Sequence, residues 1–259
     1  MDTFDTIPKP LGDTFPHSRV HAHLAAQLVA AAGLTLLPPD PEFHFSSTTF
    51  DPKLGALVGS PLPRHRQVRL VLAELRIEVV DRDTVAEARL LGGSTMAEAG
   101  EWLGEVLGEP LVYPTWDLPW GTIETFGPFE HHAYDLGVLT AWYGAAHHTL
   151  SVFVPPQGTA SEVRVWPHHF DLATLVTFGG THTVGLGLSP GDEAFAFPYL
   201  YVTPWPYPRV RATPPLPVGR WNTDTWYGAL LDAEAVTGQS AVDTFFEAAF
   251  ASCAGAAST

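Results

Sequence analysis

Two strand-like runs, Phe170 to Phe178 and Thr181 to Leu188, meet at Gly179-Gly180, a pair that accepts the positive φ of a two-residue hairpin turn. No other segment constrains the chain as much, because turn length sets register and register sets which side chains share a face. With Phe178 opposite Thr181, Asp171 lies opposite Leu188. The turn Ser189-Pro190-Gly191-Asp192-Glu193 then falls beside His168 and His169. The stretch Trp166-Pro167-His168-His169-Phe170-Asp171 thus brings imidazoles and carboxylates to one sheet end. Side chains alternate along a strand, so His169 and Asp171 share a face while His168 and Phe170 take the other.

Around this hairpin the chain reads as a single domain over residues 1–259, with an extended lead-in over 1–16 and a frayed tail over 254–259. Apolar residues at helical spacing predict a helix over 18–32 with Ser18 as its N-cap. Further helices are predicted over 95–107, 129–150 and 240–251, and another entered through 220–226. Alternating or β-branched runs predict strands over 42–50, over 67–80 with a bulge near Ala73-Glu74, and over 199–203. Arg69 and Arg76 would point to solvent. Residues 110–129 form a proline-rich aromatic loop. Strands and helices do not alternate regularly, so the fold class is α+β with a mainly antiparallel sheet and helices packed on it.

Composition narrows the function classes. The formal charge of −15 with only 13 Lys and Arg argues against nucleic-acid and anionic-membrane partners, which need clustered cations. One cysteine, Cys253, excludes an intrachain disulfide framework and Cys-rich zinc motifs. No stretch reaches the length of a membrane span, and the acidic N-terminus lacks the order of an export signal, so a cytoplasmic protein is expected.

Three adjacent histidine pairs, 131/132, 147/148 and 168/169, carry the main chemical signal. A metal reading gathers His169, Asp171 and Glu193 from the sheet end with His131 and Asp135, spaced i, i+4 on the third helix. Imidazole and carboxylate suit Zn(II), Fe(II) or Mn(II), and an incomplete shell leaves room for an activated water. Without a metal, His169 paired with Asp171 or Asp135 would act as a general base, with His131 as a further catalytic residue. The competing reading is that each histidine caps a strand or bonds a buried carbonyl. No serine elbow or phosphate-binding glycine loop is present. A second class of function rests on the aromatics: Trp166, Tyr134, Tyr201 and Trp205 would line a small-molecule pocket, with Trp205, between two prolines, as its exposed ring.

Several motifs together resemble a bacterial family known as a domain of unknown function. They are His23 with Gln27, Pro38-Pro39 before His44, His131 with Tyr134-Asp135, and Trp166 with Phe170-Asp171-Leu172-Ala173. Pro198-Tyr199-Leu200-Tyr201-Val202 and the segment from Trp221 to Gly228 complete the set. The resemblance supplies no activity and implies only that these positions share one pocket. The sequence therefore predicts a small-molecule enzyme, with metal-assisted hydrolysis or water activation at the His/Asp/Glu site. The alternative is a non-catalytic binder of a small apolar or aromatic ligand.

Overall fold

The structure, a computed structural model, describes all residues except 1–2, 9–10, 119, 121–126, 180, 210, 212 and 257–259. In chain order its helices are α1 (Phe15–Leu36), α2 (Met96–Leu107), α3 (Ala133–Val152) and α4 (Gln239–Ala256). The strands are β1 (Thr49–Asp51), β2 (Ala56–Val58), β3 (Arg66–Val71), β4 (Arg76–Asp81), β5 (Thr84–Leu90), β6 (Thr159–Ala160) and β7 (Arg164–Trp166). β8 (Asp171–Thr177), β9 (Thr183–Ser189), β10 (Tyr199–Trp205), β11 (Arg220–Asn222) and β12 (Gly228–Asp232) follow. The fold is α+β with antiparallel pairing, as the sequence predicts. No helix among the described residues is long and apolar enough to cross a membrane.

The chain forms two compact units interleaved in sequence: a first unit of residues 8–141 and 164–170, and a second of 1–7, 142–163 and 171–259. In the first unit, α1 is apolar around its whole circumference and nearly every residue from Ala22 to Gly33 is buried, the pattern of a central helix. It starts at Phe15 rather than Ser18, because Pro16 presets the first turn. Ser18 therefore lies inside the helix, not at its cap. α2 begins with a full capping box between Thr95 and Glu98.

The five-stranded sheet runs β1-β2-β3-β4-β5. Its centre corrects two expectations. Residues 67–80 are a hairpin and not one long strand, because Leu75 takes a left-handed φ of 46° and Val71 returns opposite Arg76. Leu72 and Leu75 are fully buried, so this turn lacks the polar residues that would have announced it. Arg69 and Arg76 do not reach for solvent; both pair with the buried carboxylate of Glu78. Residues 42–46 form turns, and the strand expected over 42–50 is reduced to β1.

In the second unit, six strands run in the order β11-β12-β10-β9-β8-β6. Leu172, Leu188, Leu200 and Leu231 stand opposite one another across four strands and are fully buried. α4 packs on β9, β10 and β12, and its Phe250 stacks on Phe178, which shares this apolar face. The opposite face carries Asp171, Gly187, Ser189, Tyr199, Tyr201 and Trp205. The β8–β9 hairpin is present, but its register is one residue off the prediction. Phe178 donates to the carbonyl of His182, so Leu172 and not Asp171 faces Leu188. The loop is thus three residues, 179–181, with Gly179 at φ +91°; Gly180 lies outside the described residues. Residues 220–226 enter no helix: they supply β11 and the turn into β12.

Candidate functional site

The stretch around His168 is a turn, which overturns the alternation argued for it. Residues 167–170 leave the strand after Trp166, the Phe170 amide donates to the Trp166 carbonyl at 2.7 Å, and Phe170 is left-handed at φ 58°. Alternation holds only in extended chain, so His169 and Asp171 are not placed on one face by it. His169 is exposed, its ring 4.3 Å from that of His168. Burial, then the neighbouring His169, pushes His168 down to about 4.

Turn and α1 together build a polar network inside the first unit. The indole N–H of Trp120 can only donate, and it reaches Nδ1 of His23 at 2.8 Å. His23 must therefore carry its proton on Nε2, which donates to the Pro167 carbonyl at 2.7 Å. Gln27 donates to the same carbonyl at 2.7 Å and accepts from Trp116 at 3.1 Å. Phe170 stacks flat on His23, centroids 4.9 Å apart, and the Arg19 guanidinium lies 4.4 Å from the Trp120 centroid. Burial holds His23 down at about 3. A neutral ring with both nitrogens engaged is a structural group and no general base. Of the motifs behind the family resemblance, His23, Gln27 and Phe170 do meet here.

The predicted metal ligands do not form one set of ligands among the described residues. α3 begins at Ala133, so His131 precedes the helix and the i, i+4 argument for His131 and Asp135 does not apply. Asp135 is buried in the first turn of α3 and accepts from the Ser18 hydroxyl at 2.9 Å, while Ser18 accepts from the His132 amide at 3.0 Å. A carboxylate there complements the helix N-terminus. His131 packs against Gly92, and burial lowers its pKa. Asp171 and Glu193 belong to the second unit; Asp171 accepts from Tyr201 and Glu193 is exposed. Among the described residues no group of three or more His, Cys, Asp or Glu side chains is placed to hold a metal ion. The lone thiol of Cys253 is buried and pushed up to about 12, so it is no nucleophile.

No family model, curated protein or solved structure matches the chain. Function must be argued from its own geometry.

The sheet end predicted as the site does hold a polar cluster in the second unit. The Tyr201 ring lies across Gly187, where a Cβ would come within 2.6 Å of it, and its hydroxyl donates to Asp171. Beside it Tyr199 donates to Asp192 at 2.6 Å, and Asp192 also accepts the amides of Ala194 and Phe195. Burial, and for Tyr201 the Asp171 charge, pushes both phenols up, so both stay protonated donors.

Four residues beyond Tyr201, the same strand ends in an exposed surface. Trp205 is 62% exposed and packs edge-on to Tyr207, centroids 5.7 Å apart. Tyr207 meets the buried Tyr227 at 6.2 Å, and Trp221 stacks on Tyr227 at 5.5 Å while donating to the Pro214 carbonyl at 2.7 Å. Arg211 lies over both tyrosines, 5.4 Å from the Tyr207 centroid and 5.9 Å from that of Tyr227. Arg209 and Arg211 are exposed, and among the described residues neither forms an ion pair. Of the four predicted pocket rings, Tyr201 and Trp205 share this strand, whereas the half-buried Trp166 and the exposed Tyr134 belong to the first unit. Sequence reading missed Arg211; its only signal was an arginine among closely spaced aromatics and prolines.

Proposed function

We propose that the protein binds, without transforming it, a small ligand that joins a flat apolar ring to a carboxylate or phosphate, at the Trp205–Tyr207–Arg211 surface. The observation that carries this reading is the Arg211 guanidinium held over two tyrosine rings with no carboxylate partner among the described residues. A guanidinium fixed on aromatic faces keeps its fork for an incoming anion, and less freedom is lost when one binds. The adjoining indole offers its face to the ring of the ligand. A chain of formal charge −15 repels anions in general, so an anion needs a fixed cation of this kind to bind. The non-catalytic part of the reading rests on the hydrogen bonds that occupy His23, Asp135 and Asp171 and on the burial of Cys253. A buried, unpaired Cys253 fits a reducing compartment such as the cytoplasm. Calorimetric titration with indole-3-acetate, against its neutral amide, tests the reading.

A further inference from the structure

The end of α3 and the outer face of α4, both in the second unit, flank a groove of about 580 Å³. α4 lines it with Asp243 and Glu247, exposed and at i, i+4 spacing, and with the edges of the buried Phe246 and Phe250, while the exposed Val152 and the half-buried Phe153 form its apolar wall. Phe153 packs edge-on against Phe250, centroids 5.4 Å apart, and closes the floor. On the lip Val152 is 61% and Val154 83% exposed. Gln239 donates to Thr149 at 2.9 Å and to Asp243 at 2.8 Å, tying the two helices together at one end of the groove.

Charge identifies the occupant. The second unit holds three Lys and Arg residues, Arg209, Arg211 and Arg220, against eleven Asp and Glu, and none of the three lines the groove. The exposed carboxylates of Asp243 and Glu247 therefore meet apolar surface with no Lys or Arg among the residues that line the groove. Size argues for a small molecule. Ten residues line the groove, whereas a stable protein partner engages roughly 20–30 on each side, and the volume falls within the roughly 300–1,000 Å³ of small-molecule sites. We propose that this groove binds an amphiphilic organic cation, its ammonium group at Asp243 and Glu247 and its apolar body on Val152 and Phe153. The site is separate from the Arg211 surface and takes the opposite charge.

The test is isothermal titration of the full chain with 4-phenylbutylamine, 4-phenylbutan-1-ol and 4-phenylbutyrate at low ionic strength. The amine binds about tenfold more tightly than the alcohol, as expected of paired over neutral contacts, and the carboxylate does not bind. Glu247→Gln, an exposed change that spares the fold, brings the amine toward the alcohol and leaves the alcohol unchanged. Val154→Lys, which puts a cation on the lip, does the same. Equal affinity for amine and alcohol, indifference of the amine to both substitutions, or no amine binding at millimolar concentration would overturn the proposal. Arg211→Gln leaves amine binding intact, which separates this site from the one above.

Discussion

The guanidinium of Arg211 sits 5.4 Å from the ring centroid of Tyr207, at the exposed end of the strand whose Tyr201 is hydrogen-bonded to Asp171. One strand, β10, thus carries on one face a largely buried polar cluster at its start and an exposed aromatic surface at its end. The first is held by phenol–carboxylate hydrogen bonds and the second is exposed to solvent.

Gly187 is required by Tyr201. A methyl group there would come within 2.6 Å of the ring, so Gly187→Ala must displace the phenol from Asp171. The expected cost is about 1–3 kcal/mol in urea unfolding. In a Tyr201→Ala background the same substitution costs much less, and a double-mutant cycle showing no coupling would contradict the contact.

Ser18 joins α1 to the start of α3 by accepting from the His132 amide and donating to Asp135. Ser18→Ala leaves a buried carboxylate and an amide without this partner. It is expected to lower stability by about 1–3 kcal/mol, with hydrogen exchange fastest in the first turn of α3.

Acid should unfold the protein through its buried histidines. His23 is held down at about 3, and His21 and His168 at about 4, each chiefly by burial. Each binds its proton more weakly when folded, so their contribution is fully present above pH ~6.5 and is lost as pH falls toward those values. His23 alone accounts for about 2 kcal/mol by pH ~5. Urea titrations across this window check the slope, and the His23 imidazole should remain neutral by NMR at pH ~5.

Elements with local signals were legible in the sequence. The amphipathic helix predicted over 95–107, the amphipathic α4 and the glycine loop between β8 and β9 all announce themselves within a few residues. What failed depended on single backbone dihedrals at residues that give no warning. Leu75 at φ 46° folds an apparent strand into a hairpin, and Phe170 at φ 58° breaks the alternation on which His169 and Asp171 were paired. Hairpin register was lost to one extra loop residue. Trp205 was recognisable as an exposed ring between prolines, but Arg211 was not, since no periodicity links residues across such a segment.

The central claim is tested most directly by the affinity of indole-3-acetate measured calorimetrically for the native chain and for Arg211→Gln. The account predicts saturable binding to the native chain, about tenfold weaker in the variant. Indole-3-acetamide should bind the two proteins alike, and Trp205→Ala should weaken both ligands. Equal affinity of indole-3-acetate for native and Arg211→Gln protein, or no binding to either, would contradict it.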